Sequence, residues 1–175
     1  LSTLRVAWFK VYRPEEYYCA FFTIRGESFD AESMCFGPQK IKAKRVALAE
    51  AMRSNDNPNV KNEFYLCEIV EEMYARNIVF DPVSLYESDA TRFVKVSKGH
   101  IRPPFCAIES ISAANGIAIC DARNNGPFRN REEFMNRTGI GQSGTQKLLD
   151  YGGIIDDLPE SAQINMFDIL GVGDR

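Results

Sequence analysis

Hydrophobic side chains recur every three or four residues along most of the chain, a period that predicts a mainly helical fold. Leu4, Trp8 and Val11 fall on one face of a helix over residues 1–12. Pro14 ends this helix and also suits the first turn of the next one. The start of the chain therefore predicts two consecutive helices, the first of them amphipathic.

The middle of the chain extends the helical pattern and then departs from it. Helix-forming residues fill 38–53, and a second long helix is predicted to begin at Pro58, with Asn57 as its N-cap. Between residues 78 and 105, the stretches FDPVSLYES and TRFVKVSKGHI predict short strands around a turn at Lys98-Gly99. The expected fold class is mainly α with a small β element.

These changes of pattern divide the chain into four predicted segments. Residues 1–55 are helical, and residues 56–100 hold one long helix and the short strands. Residues 101–153 return to short helices. Residues 154–175 contain five acidic side chains and one basic side chain, so we expect an acidic, mobile tail.

The most informative stretch is RTGIGQSGTQKLLDYG, which sets Gly139, Ile140 and Gly141 between two helices. Glycines permit a sharp turn, and Ile140 is expected to insert between the helices. N–H groups at the start of the next helix, at Gln142 and Ser143, would then face outward, where the helix dipole favours a phosphate oxygen. The pattern is typical of a helix-hairpin-helix, and the alternative is an ordinary tight turn with glycine as C-cap.

A second copy of the pattern lies upstream in FCAIESISAANGIAICDAR. Ser110, Ile111 and Ser112 occupy the places of Gly-Ile-Gly, and a helix beginning at Ala113 follows. Paired hairpins of this type hold the backbones of both DNA strands across a minor groove. A tandem helix-hairpin-helix is therefore predicted for residues 101–153, and whether the serine-bearing hairpin touches phosphate stays open.

Basic side chains flank the two hairpins. Arg102, Arg123 and Lys147 lie close to them in the sequence, where they would add Coulomb attraction to phosphates. The alternative for each is ordinary surface charge. Contacts to phosphates position a duplex but do not read its bases, so the predicted binding is independent of sequence.

Composition limits how DNA could be contacted. Hydrophobic residues make up 45% and charged residues 26% of the chain, as in an ordinary globular protein. The net charge of −3 is unusual for a nucleic-acid-binding protein, so contact with a duplex must be local or shared with other parts of a larger protein. Five cysteines without a C-x-x-C pair predict buried thiols, and one histidine leaves no histidine-based metal site.

Several motifs in the same order resemble one known family. AWFKVYRPEEYYCAFFTIR, FDAESM and VFDPVSLYESDATRFVKVSKGHIRPPFCAIESI are similar to the C-terminal region of the PolC-type DNA polymerase III alpha subunit, a bacterial C-family replicative polymerase. The resemblance implies that residues 1–55 end the fingers region and that residues 101–153 form its duplex-binding domain. It further implies a DNA-directed DNA polymerase, a nucleotidyltransferase, that works in DNA replication in the cytoplasm with the nucleoid.

The resemblance also implies which chemistry this chain lacks. The palm domain, whose aspartates hold two Mg²⁺ ions for phosphoryl transfer, precedes the fingers in the family. We therefore expect no cofactor in this chain and no polymerase activity from it alone. Arg5 and Lys10 would face nucleotide or template on the fingers helix, and solvent-facing charge is the alternative for both.

The tail carries a short motif, QINMF, after the hairpins. Gln163, Ile164, Met166 and Phe167 fit the pattern by which bacterial proteins, including PolC-type polymerases, dock on the sliding clamp, the beta subunit. Apolar anchors would enter a pocket while the glutamine amide sets the register. The alternative is a terminal helix that packs back on the body.

Three functions therefore compete. The first is the part of a replicative polymerase that grips primer-template duplex and binds the sliding clamp, with the rest of the polymerase polypeptide as its partner. The second is a non-catalytic tandem helix-hairpin-helix module of DNA repair or uptake. The third is a helical protein-interaction domain with no nucleic-acid role, an alternative with which the net negative charge is consistent.

Overall fold

The computed structural model describes residues 2–54 and 57–161, apart from the side chain of Glu27. The described residues are mainly helical with one small sheet, as predicted. The helices are α1 Ser2–Tyr12, α2 Pro14–Ile24, α3 Ala31–Met34, α4 Pro38–Ser54, α5 Pro58–Ala75, α6 Ala113–Asn124, α7 Arg131–Thr138 and α8 Gln142–Tyr151. The strands are β1 Val79–Phe80, β2 Val94–Ser97 and β3 His100–Arg102, and single 3-10 turns span Gly26–Ser28 and Phe105–Ala107.

Local chemistry sets where the helices begin. Pro58 occupies the first turn of α5, and the side chain of Asn57 accepts a hydrogen bond from the N–H of Asn59 at 2.9 Å. Asp30 caps α3 in the same way through the N–H of Glu32 at 3.0 Å. These caps satisfy N–H groups that have no partner within the helix.

The sheet has the strand order β1-β3-β2, with β1 parallel and β2 antiparallel to β3. The turn between β2 and β3 contains Gly99, whose φ is +78° and whose added Cβ would lie 3.1 Å from the carbonyl oxygen of Asn77. A glycine is therefore required at this turn for both conformation and space.

A cluster of aromatic side chains joins the sheet to the N-terminal helices. Phe22, Phe29, Phe80 and Phe93 have ring centroids 4.8 to 6.1 Å apart. Buried side chains continue from this cluster without interruption into the hairpin helices, as far as Ile155. The hairpins are thus supported by the same core as the rest of the chain.

Helix α1 lies outside this core. None of its residues is buried, and the predicted apolar face is open, with Leu4 74% and Trp8 53% exposed. The helix is held chiefly by its packing on α2 and by contacts of Lys10 with α5. No helix within residues 2–54 and 57–161 combines the length and the apolar character that crossing a membrane requires.

The predicted start of the mobile tail needs correction. Ile154 and Ile155 are only 7% and 1% exposed, and the N–H of Arg131 donates to the carbonyl oxygen of Pro159 at 2.8 Å. Gly152 and Gly153 both have positive φ, so the chain turns back and carries the two isoleucines into the core. The acidic composition of the segment concealed these apolar anchors.

The cysteines are free, but they are not uniformly buried. Cys19 and Cys67 are buried, whereas Cys35, Cys106 and Cys120 are half-buried. Burial raises the pKa of the Cys19 thiol to about 12 and that of Cys67 to about 11. Both thiols are therefore uncharged near neutral pH and serve as small apolar groups.

Candidate nucleic-acid interface

The second hairpin joins α7 to α8 with the geometry that the sequence predicts. Gly139 ends α7 in the left-handed conformation, with φ +70°, and its N–H donates to the carbonyl oxygen of Met135 at 2.8 Å. Ile140 is 3% exposed, and its N–H donates to the hydroxyl of Thr138 at 3.2 Å. The apolar side chain between the glycines therefore anchors the turn in the core.

The start of α8 carries hydrogen-bond donors without a side-chain cap. Gly141 is the N-cap residue, and its carbonyl oxygen accepts the first backbone bond of the helix, from the N–H of Thr145 at 3.0 Å. Gln142, Ser143 and Gly144 come before Thr145, so their N–H groups have no acceptor within the helix, and Gln142 and Ser143 are exposed. Together with the helix dipole, such donors form a site for an anionic oxygen.

The first hairpin has the same turn but a different helix start. Ser110 has φ +66°, close to the value at Gly139, and Ile111 is buried at 4% exposure. Ser112 caps α6: its hydroxyl accepts from the N–H of Asn115 at 3.1 Å, and the Asn115 amide oxygen accepts from the N–H of Ser112 at 3.2 Å. This capping box engages donors that the second hairpin leaves open.

The two hairpins meet at Gly144. A Cβ built on this glycine would lie 2.7 Å from Cγ2 of Ile140 and 3.9 Å from Cδ1 of Ile111. Both apolar plugs therefore pack on the first turn of α8. Across the same junction, Lys147 Nζ lies 3.6 Å from a carboxylate oxygen of Glu109. The structure thus brings the buried isoleucines of the two hairpins together at α8, and Ala113 is exposed at the start of α6.

Two arginines predicted to contact phosphate bind groups of the protein itself. Arg102 is 9% exposed, pairs with Glu87 at 2.7 Å and donates to the carbonyl oxygen of Pro82 at 2.9 Å. Arg123 donates to the carbonyl oxygens of Leu85 and Ser88 at 3.1 and 2.7 Å. These bonds hold the loop before β2 against β3 and α6, which argues against the predicted phosphate role of both arginines.

Sequence reasoning missed Arg137, which organises the link between the hairpins. Its guanidinium lies 4.4 Å from the ring centroid of Phe128 and donates to the carbonyl oxygens of Ala122, Gly126 and Pro127. It thereby caps the end of α6 and fixes the turn that leads into α7. A basic residue in the last turn of α7 signals only a favourable helix dipole, so the sequence does not reveal this role.

The basic residues of α1 are placed differently from each other. Arg5 is exposed. Lys10 pairs with Glu72 at 2.6 Å, and the Tyr18 hydroxyl donates to the same carboxylate at 2.6 Å. Partial burial by itself raises the pKa of Glu72, but the bonds from Lys10 and Tyr18 outweigh it and hold that pKa below its ordinary value. Lys10 therefore has a structural partner, and a nucleotide contact by either residue stays a prediction.

Two pairs of glutamates that are neighbours in the sequence, Glu71-Glu72 and Glu132-Glu133, contribute carboxylates to ion pairs. Glu71 pairs with Arg45 at 2.5 Å, and Glu133 pairs with Arg137 at 3.2 Å. Among residues 2–54 and 57–161, no three or more histidine, cysteine or acidic side chains group in a way that could hold a metal ion. That Mg²⁺ is held by a palm domain outside this chain stays a prediction.

The predicted clamp-binding residues lie outside the described part of the chain. Gln163, Ile164, Met166 and Phe167 follow Ser161, the last described residue. Their role is a proposal based on the sequence motif.

Comparison with protein families defines the class of this site. Residues 77–162 match the family model of the helix-hairpin-helix motif. The matched range begins just after α5, runs through the sheet to the segment after α8 and contains both hairpins. The chain thus carries a helix-hairpin-helix unit, as its turns and buried isoleucines indicate.

Comparison with curated proteins is more specific. The chain is 36% identical over 167 residues to DNA polymerase III PolC-type of Caldanaerobacter subterraneus subsp. tengcongensis, covering 95% of this chain and 12% of that protein. It is 37% identical over 169 residues to the corresponding proteins of Streptococcus mutans and Streptococcus pyogenes, covering 96% of this chain and 11% of each. The predicted relationship to PolC-type DNA polymerase III is confirmed along nearly the whole chain. The chain spans only about one ninth of these relatives.

Proposed function

We propose that the chain is the C-terminal part of a bacterial replicative DNA polymerase and that it grips the primer-template duplex through backbone phosphates. The observation that carries this proposal is the open N-terminus of α8, where Gln142, Ser143 and Gly144 follow a glycine N-cap. The site lies inside the range that matches the helix-hairpin-helix family. Backbone donors aimed at phosphates suit a polymerase, which must hold every sequence that it copies.

The charge distribution fits a local grip. The net charge of the chain is −3, so a broad electrostatic attraction to DNA is not available. Binding would depend on the few donors at the hairpins, helped by the rest of the polymerase polypeptide. The isolated chain would therefore bind duplex weakly, with a dissociation constant of about 10⁻⁴ to 10⁻⁶ M at physiological salt.

Similarity outside the hairpins favours a polymerase over a repair or uptake module. The matches to PolC-type proteins cover 95 to 96% of the chain, and so include helices α1 to α4, which a separate tandem hairpin module does not need. Polymerisation itself would require the palm domain and its Mg²⁺ ions. We therefore propose that the chain supports template-directed extension without catalysing it alone.

The motif at residues 163–167 adds a tether to this proposal. Gln163 and the apolar Ile164, Met166 and Phe167 would bind a pocket of the sliding clamp as an extended peptide. Ordering such a peptide costs conformational entropy, so an affinity of about a micromolar is sensible. Its test is the affinity of the chain for the cognate clamp, which Phe167→Ala should abolish. Equal binding by both forms would remove the tether from the proposal.

Duplex binding is tested by fluorescence anisotropy with two labelled primer-template duplexes of unrelated sequence. The proposal predicts equal affinity for both, with log K falling linearly against log salt concentration because phosphate contacts release counterions. A helical protein-interaction domain would bind no better than an acidic control protein at about 50 mM salt. That result would contradict the proposed function.

A further inference from the structure

The two hairpins share a turn geometry but differ in the donors that they offer. In the second hairpin, the glycine N-cap at Gly141 leaves the first N–H groups of α8 without a side-chain acceptor. In the first, Ser112 and Asn115 close a reciprocal cap on α6. The two helix starts are therefore unequal as anion sites, although both belong to one helix-hairpin-helix unit.

The first hairpin also places a negative charge beside the second. Glu109 immediately precedes the turn at Ser110, and its side chain is 69% exposed. Its carboxylate lies 3.6 Å from Nζ of Lys147, which is in the second turn of α8. Side chains on a helix lean toward its N-terminus, so we expect the Lys147 side chain to lie over the first turn of α8, where the open donors are.

Packing fixes this juxtaposition. Ile111, two residues after Glu109, comes within 3.9 Å of the position that a Cβ would take on Gly144. The loop that carries Glu109 is thus held against the first turn of α8 by a buried side chain, and it cannot easily swing away. A phosphate that approaches α8 would meet both the open donors and the Glu109 carboxylate.

We infer that Glu109 is a built-in competitor for duplex DNA: it pairs with Lys147 across the two hairpins, and a phosphate must displace it. This inference rests on the proposed function. The second hairpin is then the principal phosphate site, and Glu109 sets how weakly it holds DNA. A polymerase moves along the duplex that it makes, so its contacts with each phosphate must break easily.

The test is a binding cycle on the full 175-residue chain with a fluorescein-labelled primer-template duplex. Glu109→Gln should tighten duplex binding about threefold to tenfold at low salt, because Lys147 becomes available to phosphate. For the same reason, the slope of log K against log salt concentration should become steeper by about one. Lys147→Gln should remove most of that gain in affinity when it is added to Glu109→Gln. In the parent chain, Lys147→Gln should weaken duplex binding by a smaller factor than it does in the Glu109→Gln variant.

Glu68→Gln is the matched control, since it removes one exposed carboxylate from α5, a helix that lies outside both hairpins in the sequence. An equal gain in Glu68→Gln would overturn the inference, because net charge alone would explain the effect. A gain from Glu109→Gln that persists fully without Lys147 would also overturn it. If the parent chain binds duplex but Glu109→Gln changes nothing, the inference fails and the proposed function stands. If neither parent nor variants bind, both fail.

Discussion

Ile140 and Gly144 pack so closely that a single added carbon would separate them: a Cβ on Gly144 would stand 2.7 Å from Cγ2 of Ile140. The buried isoleucine of the second hairpin thus fits into a space that only glycine leaves on α8. This contact holds the turn at Gly139 against the helix whose first N–H groups face outward. The shape of the candidate interface therefore depends on a buried side chain.

Gly144→Ala should destabilise the chain by about 1 kcal/mol. Overpacking against Ile140 costs about 1 to 3 kcal/mol, and the better helix propensity of alanine offsets about 1 kcal/mol of it. The measurement is the free energy of unfolding from urea titration. On an Ile140→Ala background, the steric conflict is gone, so Gly144→Ala should instead stabilise. The same sign on both backgrounds would contradict this packing.

Arg137→Met should lower the free energy of unfolding by about 2 to 4 kcal/mol. The change removes charge-assisted bonds to three carbonyl oxygens and to Glu133, and leaves those partly buried acceptors without a donor. Arg129→Met is the control, because Arg129 is exposed and its replacement should change the free energy of unfolding by less than about 0.5 kcal/mol. Thermal or urea unfolding of the two variants compares them directly, and equal losses would show that Arg137 does not organise the link.

Acid should destabilise the chain through its ion-paired carboxyls. Partial burial by itself raises the pKa of Asp30, but bonds from Lys44 and Ser33 outweigh it, so this pKa, like that of Glu72, lies below its ordinary value. A lowered folded-state pKa contributes stability that is complete above the unfolded value, about 4, and is lost as the pH falls through the folded value. Unfolding free energies should therefore decline below about pH 4 to 5.

Lys10→Met isolates the contribution of Glu72 to this loss of stability in acid. Without its lysine partner, Glu72 gains less from being ionised, so the variant should be less stable near neutrality and lose less on acidification. Lys42→Met, at an exposed position of α4, is the control for removing a positive charge. Urea midpoints between pH 3 and pH 7 give the comparison. Identical acid profiles for the two variants would mean that the Lys10–Glu72 pair carries no pH-dependent stability.

Much of the fold could be predicted because its signals are local. The proline and asparagine at the start of α5 act within one turn, and the left-handed residue that ends α7 needs glycine by its own backbone geometry. The buried plug at Ile140 follows from the same motif.

What could not be predicted depends on contacts between distant residues. Arg102 and Arg123 look like free charges in the sequence, yet carbonyl oxygens of residues 82–88 bind both. Ile154 and Ile155 look like part of an acidic tail, but the turn at two glycines buries them. The Lys147–Glu109 pair spans both hairpins, and its 38-residue separation leaves no periodic signal.

The central claim is that the start of α8 binds a phosphate of duplex DNA, and Ser143→Glu tests it most directly. A carboxylate in the first turn favours the helix through its dipole but repels a phosphate there. Gln39→Glu is the matched control, because it adds the same charge to the exposed first turn of α4. In an anisotropy titration with primer-template duplex at low salt, Ser143→Glu should weaken binding about tenfold or more without lowering the melting temperature, and Gln39→Glu should change it less than about twofold. Equal affinities for the two variants would contradict the account.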